Sequence, residues 1–586
     1  MKKTLVILLL ILSVNQVLAQ NASTEEFLMP GERIYLHQNT TMLMSGEYLY
    51  YKVYCLNSET GGLTDLSKVA YVELVGEDGK AVFSHKVRLD NGSGQGDFFV
   101  PTTIASGNYK LVGFTQWMRN SKVDDFFQND VVVINPFQNN QGGLMRSISD
   151  STKTPISTKT PIRTRSPKAI ISNNPDQVEV QLSPQTTGNR EEITLSVNNV
   201  PSDWHGDYSL SVRKVIDELP RPQRETATTF SENLKGGSKS IKVSRGANMA
   251  LPELRGELLA GTVVRNDTGE GVPDRKVALS IPGTNYLFKI SSTRENGTFF
   301  FNVDEKYSSD QALIQVIGED RDSFRIEMDD FKSPDYSQLT FDDFVLDENM
   351  EKFILEQSVQ NQIQNAYAEN RIDSISKIED FPPFFHIPSH EYFLDDYTRF
   401  PTIKETIIEV IEQASTRQRK GKQFIHVRVY DDDVETGLNS LLLIDGLFIQ
   451  DHNTVVEAKA SKIKKISVIN QQYLYGSEVF EGIIAMESYE GDFIESLPKL
   501  KEKDTKLFRP ELAKDYFIQN YKYPERYKRI PDYRNQLVWE PQFRLDATNK
   551  TLSFYSSDLK GSYEVVLEGF NKEGKPLSMR KVIEIK

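Results

Sequence analysis

Seven histidines, one cysteine and a run of three aspartates are the side chains of this 586-residue chain with the most chemical reach. Only His386 and His390 stand at a metal-ligand spacing, with Glu391 beside them. Two imidazoles at i,i+4 on a helix can grip one zinc ion from the same face. Pro388 lies between these two, and Pro382-Pro383 lie just before, so no helix aims both rings at one ion. The reading is an aromatic, proline-bounded loop. Asp431-Asp432-Asp433 carries enough charge for calcium but lacks the spaced oxygen ligands and the sixth-position glycine of a calcium loop. It reads as a solvated acidic loop. Cys55 is alone and forms no disulfide within the chain; the alternating strand around it makes it a small core residue. No Gly-x-Ser-x-Gly elbow, phosphate-binding Gly-rich loop or His-Glu-x-x-His helix is present. The expectation is a non-enzyme that uses no cofactor and no metal.

The elements that position these residues divide into several domains, as the chain's length requires. A net charge of -14 argues against a nucleic-acid binder, which needs a basic face. Residues 1–19 read as a secretory signal: Lys2-Lys3, an apolar core over 5–14, and Val17-Leu18-Ala19 before the cut. That core is short of the roughly 20 apolar residues that span a bilayer. Gln20 and not a cysteine stands at the cut, so no lipid anchor is expected, and no later run is long enough to span the membrane. The protein is expected to be exported to the periplasm, with outer-membrane association only through a partner.

Residues 25–136 read as an all-β domain, with strands predicted at 33–36, 48–56, 68–74, 81–89, 96–100, 107–115 and 130–134. Residues 137–176 are a Ser/Thr/Pro/basic linker in which Ser-Thr-Lys-Thr-Pro-Ile occurs at 151–156 and again at 157–162. Within it, Asp150-Ser151-Thr152 resembles a Bacteroidota O-glycosylation acceptor. A second β-sandwich with a polar, mobile segment covers 177–250, another sandwich 254–335, a helix and aromatic connector 345–400, an α+β domain 401–490 and a last β module 535–586.

Glu32-Arg33-Ile34-Tyr35-Leu36-His37, Ser45-Gly46-Glu47, the run 66–74, Ser106 to Leu111 and Thr115 to Asn120 occur in that order. Together they resemble the macroglobulin-type domain of large exported Bacteroidota proteins. Cys55-Leu56-Asn57-Ser58 is not the thioester of protease-trapping macroglobulins, so the resemblance implies the fold and not the trap. Arg255-Gly256-Glu257 through Gly271-Val272-Pro273 to the Asn296-Gly297 turn resembles the carboxypeptidase regulatory-like sandwich. The module at 535–586 resembles the C-terminal sandwich of the macroglobulin-type family.

The stretch 441–488 resembles the plug of TonB-dependent outer-membrane receptors. An apolar strand enters the Asp445-Gly446 turn, another follows at 463–469, and Glu481-Gly482 leads to a last strand at 483–487. The fold class expected is mainly β, with several Ig-like or macroglobulin-like sandwiches plus one TonB-plug-like α+β domain. The resemblance implies a protein that binds an outer-membrane β-barrel channel made by another chain and plugs or gates its periplasmic side. The alternative is a structural or adhesion-type envelope scaffold with no channel partner. The residues expected to meet a partner are Asp431, Asp432, Asp433, Asp445, Gly446, Asp451, His452, Asn453, Gln471, Gln472 and Tyr473.

Overall fold

The computed structural model describes residues 26–139, 141, 145–146, 178–219, 221–237, 239–244, 249–283, 285–419, 421–429, 437–497 and 504–586. The signal segment, most of the 137–176 linker and Asp431 to Asp433 therefore lie outside the described residues. The chain forms two units, one of Met1–Leu254, Ser333–Ile375 and Ala513–Lys586, the other of Arg255–Lys332 and Ser376–Leu512. Both are mainly β. Among the described residues no helix is long and apolar enough to cross a membrane.

In the first unit, every strand predicted within 25–136 is present. A three-stranded sheet runs in the order Glu32–Gln38, Tyr48–Asn57, Ser93–Phe99. A five-stranded sheet runs Met42–Met44, Phe127–Ile134, Gly107–Phe114, Val69–Val75, Ala81–Arg88. The short strand Met42–Met44, which no sequence pattern marks, pairs parallel with Phe127–Ile134. Glu32 is fully buried, and its carboxylate accepts hydrogen bonds from Ser67 N (2.9 Å), Ser67 Oγ (2.7 Å) and Thr115 Oγ1 (2.9 Å). Buried carboxylates need such donors, and burial still pushes this one's pKa up. Cys55 stands opposite Ile34 with no exposed surface. Burial, together with the Glu32 carboxylate, pushes its thiol well up, so no nucleophile is made there.

The two β modules expected at 177–250 and 535–586 are halves of one sandwich. Its five-stranded sheet runs Thr186–Thr187, Pro576–Ile585, Gly561–Phe570, Gly206–Lys214, Gln536–Leu545. Its three-stranded sheet is Glu179–Ser183, Glu192–Asn198, Lys550–Tyr555. Val180, Leu195 and Leu210 from one half share a core with Phe543, Phe554 and Tyr563 from the other. The segment expected to be mobile holds a helix, Ala227–Gly236, whose N-terminus is closed by a Thr226–Thr229 capping box. It also holds the strand Ser240–Ser244, paired with Glu26–Pro30.

The helix expected after 348 spans Glu351–Ala366. It buries Gln357, Ser358 and Asn361 and leaves Leu355 and Val359 exposed. Its first turn packs Phe353 and Ile354 on a buried cluster of Met42, Met44 and Val132, and its last turn docks by polar contacts: Asn365 Nδ2 donates to Gly46 O at 3.0 Å, and Gln364 Oε1 accepts from Tyr533 N at 3.1 Å.

In the second unit, Thr298–Val303, Glu257–Arg265 and Phe324–Met328 form one sheet of a sandwich. Leu287–Ser292, Lys276–Ile281, Gln311–Val316 and Asp504–Lys506 form the other, so the chain returns after the α+β lobe to complete it. The lobe's own sheet runs His390–Phe393, Ile463–Tyr475, Glu478–Ser488, Leu441–Ile444, Leu447–Phe448. Leu441–Ile444 lies parallel to Glu478–Ser488, with Leu441 opposite Ile483 and Ile444 opposite Met486. The last strand, expected at 483–487 behind Glu481-Gly482, starts earlier and spans Glu478–Ser488; its pairing with Ile463–Tyr475 shifts register twice, between Ile463 and Lys465 and between Ile469 and Gln472.

One face of this sheet (Leu442, Ile444, Val468, Ile484) packs on Ile403 and Ile407 of the helix Ile403–Val410. The other (Leu441, Leu443, Ile483, Ala485) packs on Ala278, Tyr286 and Phe288 of the sandwich. Burial on both faces explains why these strands read as unbroken apolar runs.

Candidate functional site

The described residues expected to meet a partner, Asp445 to Tyr473, fall at three places in the second unit, and the structure does not gather them into one site. At the first, the turn between Leu441–Ile444 and Leu447–Phe448 has Asp445 at φ 50° and Gly446 at φ 83°. Positive φ at both central residues is the hairpin turn that Asp-Gly favours. Asp445 is only 4% exposed, and its carboxylate accepts from Ser488 N (2.7 Å), Ser488 Oγ (2.7 Å) and Phe493 N (3.0 Å). Gly446 lies against Tyr286 of the sandwich. Next to it, Ser280 Oγ accepts from Phe448 N at 3.1 Å, and Gln315 Nε2 donates to Phe448 O at 2.8 Å. Asp445 and Gly446 are thus an internal joint, which corrects their assignment as partner contacts. The missed signal is spatial: Tyr286 and Ser488 are remote in sequence.

The second place is Asp451-His452-Asn453, expected from the sequence to meet a partner. His452 is buried, and its Nδ1 accepts the main-chain N–H of Ile425 at 2.9 Å. Asn453 Oδ1 accepts from Gln423 N at 2.9 Å, and Ser440 Oγ accepts from Val427 N at 2.9 Å. Three alternate N–H groups along the strand Lys422–Val427 are capped by side chains in this way. Asp451 binds Asn453 N at 3.2 Å and Asn453 Nδ2 at 2.9 Å, fixing the start of the short helix Asn453–Val456. His452 is therefore a strand cap and not a partner contact; Asn453 and Asp451 hold the same element while keeping some exposure.

The third place is the arm at the end of Ile463–Tyr475. Gln471 and Gln472 are exposed. Tyr473 is half-buried: its hydroxyl donates to Phe384 O at 3.2 Å, and Tyr475 donates to Phe288 O at 2.5 Å. The arm is strapped to the sandwich on its tyrosine face and open on the face of Gln472 and Leu474, the latter 70% exposed. Of the sequence candidates, Gln471 and Gln472 are the ones whose side chains face solvent with no internal task. His386 sits in a turn, its N–H donating to Pro383 O, while His390 begins the strand His390–Phe393. Among the described residues no His/Cys/Asp/Glu group could hold a metal ion.

Burial sets the electrostatics of the cap. It pushes the His452 pKa down from 6.5 to about 4, against the pull of Asp451. A histidine kept neutral in the fold contributes stability above its unfolded pKa. That stability is lost as pH falls from about 6.5 to about 4, because only the unfolded chain takes up the proton in that window. The shift corresponds to about 3 kcal/mol. We expect urea unfolding of the second unit to weaken by about that amount between pH 7 and pH 4, and His452→Gln to flatten the dependence. His85, in the first unit, is also pushed down to about 4 by burial, so the difference between wild type and variant is the informative quantity.

No family model and no curated protein matches the chain. Among solved structures it is similar to Escherichia coli alpha-2-macroglobulin activated by porcine elastase, at 9% identity and a TM-score of 0.23, covering 95% of this chain and 44% of that one. It is also similar to Salmonella alpha-2-macroglobulin reacted with methylamine, at 8% identity and a TM-score of 0.22, covering 96% of this chain and 40% of that one. Dimeric latent PorU from Porphyromonas gingivalis matches 51% of this chain and 33% of its own, at 12% identity and a TM-score of 0.15. The chain spans less than half the length of the alpha-2-macroglobulins it matches.

Proposed function

We propose that this is a non-enzymatic, exported accessory protein of a Bacteroidota envelope, with macroglobulin-type and carboxypeptidase-regulatory-like sandwiches carrying a TonB-plug-like lobe. In this reading the lobe binds an outer-membrane β-barrel channel made by another chain and closes its periplasmic side. The observation that carries it is the bracing of the lobe. Its sheet is buried on both faces, one of them against the neighbouring sandwich, yet the arm keeps Gln471, Gln472 and Leu474 outside. A rigid body with a polar, outward arm suits insertion into a polar lumen, where hydrogen bonds rather than a large apolar face provide the fit. The second reading, an envelope scaffold, is favoured by the internal use of the Asp445-Gly446 turn, one of the features that carry the plug resemblance.

The test is co-purification from detergent-solubilised envelopes. Deleting residues 402–490 would strip the sandwich's core partner, so the informative variant is Gln471→Lys with Gln472→Lys. The expected result is stoichiometric recovery of a barrel protein with the wild type, its loss with the variant, and increased dye entry through the channel. Recovery of both proteins alone from the periplasmic fraction, with unchanged dye entry, would favour the scaffold.

A further inference from the structure

The hairpin formed by Ala414–Arg419 and Lys422–Val427 is a sheet of only two strands, and its two edges differ. The Lys422–Val427 edge is closed by Asn453, His452 and Ser440, which take the N–H groups of Gln423, Ile425 and Val427. Residues opposite one another in an antiparallel pair turn their main-chain groups the same way, inward or outward. Gln418 and Thr416, opposite Gln423 and Ile425, therefore present theirs outward along the other edge. Among the described residues no strand and no side-chain acceptor covers them. An uncovered edge is a template for another strand.

The charge on this hairpin is equally one-sided. Ile425 and Val427 are buried, so the alternate residues Arg417, Arg419, Lys422 and Phe424 lie on the outward face. Arg419 stands directly opposite Lys422, and Arg417 opposite Phe424. Arg417, Arg419 and Lys422 are exposed, and among the described residues none is within ion-pair distance of a carboxylate. Arg419 Nη1 donates to Gly437 O at 3.5 Å. Like charges placed directly opposite weaken a strand pair, and this pair is kept in a chain of net charge -14.

We propose that the Ala414–Arg419 edge accepts a strand from an acidic segment of a protein partner. Its main chain pairs with Thr416 and Gln418, while its alternate carboxylates neutralise Arg417, Arg419 and Lys422. Strand addition draws affinity from main-chain hydrogen bonds and specificity from alternate side chains. An anionic bilayer fits less well. A flat surface would meet the field of the whole acidic chain, whereas a single strand engages the cations within about one Debye length, ~8 Å at physiological salt. The proposal goes beyond the channel reading and does not require the partner to be a channel.

The full chain is titrated with a short fluorescent peptide of alternating Glu and Val, the same peptide N-methylated at alternate nitrogens, and vesicles containing phosphatidylglycerol. The expected result is saturable binding of the Glu-Val peptide, weakened about tenfold by Arg417→Glu with Arg419→Glu and about tenfold by methylation. Arg419→Glu alone is also expected to raise the unfolding midpoint, because it places a carboxylate opposite Lys422. Should the double reversal fail to fold, Arg417→Gln with Arg419→Gln serves in its place. Absence of peptide binding, equal binding by the variant or the methylated peptide, or preference for the vesicles overturns the proposal.

Discussion

Gly446→Val is expected to destabilise the unit that holds the lobe by about 3 kcal/mol or more, from two costs that act together. The first is backbone: Gly446 has φ 83°, where a side chain costs about 1–2 kcal/mol. The second is space: a Cβ at this position would lie 2.2 Å from Tyr286 Cβ, and both residues belong to the joint between lobe and sandwich. Overpacking a fixed joint costs about 1–3 kcal/mol, and β-branching enlarges the collision. Urea unfolding followed by circular dichroism measures the loss. Gly421→Ala is the control, because Gly421 has φ 79° in the neighbouring hairpin but nothing within 4 Å of an added Cβ. Only the backbone cost, about 1 kcal/mol, is expected there. Equal losses for the two variants would mean that the lobe and the sandwich are not locked through this turn.

Ending the chain at Asn535 removes the last four strands and is expected to unfold residues 178–214 with them. Gly206–Lys214 lies between Gly561–Phe570 and Gln536–Leu545 and loses both neighbours, leaving its ladder groups unpaired on each side. Val180, Leu195 and Leu210 lose the apolar cover of Phe543, Phe554 and Tyr563. Each such side chain returned to water costs about 1.5–3 kcal/mol, so the three together forfeit a sum comparable to the roughly 5–15 kcal/mol that holds a domain folded. Limited proteolysis reads this directly. Cuts within 178–214 are expected at the rate of an unfolded chain, and protection there would show a self-sufficient half-sandwich.

Sequence patterns carried seven strands between residues 32 and 134 because apolar runs are punctuated there by Asp78-Gly79 and Asn91-Gly92 turns; Glu26–Pro30 and Met42–Met44 carry no such mark. The start of the helix Ile403–Val410 is also legible, because Thr402 and Glu405 stand at the spacing of the capping box that closes it. What sequence patterns could not carry was pairing. Nothing local to Ile193 or Phe554 says that they are cross-strand partners, yet they are. The same limit hid the role of His452 and Asn453 at the edge of a strand, because the N–H groups they cap belong to Ile425 and Gln423. The helix Glu351–Ala366 falls within the stretch expected to be helical, and its contacts are both apolar and polar: Phe353 and Ile354 pack on a buried cluster, Asn365 donates to Gly46 O and Gln364 accepts from Tyr533 N.

The sandwich assembled from both sides of the second unit has a consequence for how the chain becomes a protein. Its strand Glu192–Asn198 must wait for Lys550–Tyr555 before its second edge is satisfied. The lobe and its sandwich lie between these strands in sequence and close on themselves, within Arg255–Lys332 and Ser376–Leu512. A nested unit that folds first shortens the effective loop its host must close, and loop closure is the entropic cost that slows distant strand pairing. Order of maturation is thereby written into connectivity: the inner unit acts as a staple for the outer one. A lesion confined to the inner unit, such as one at Gly446, is then expected to delay the outer sandwich during refolding.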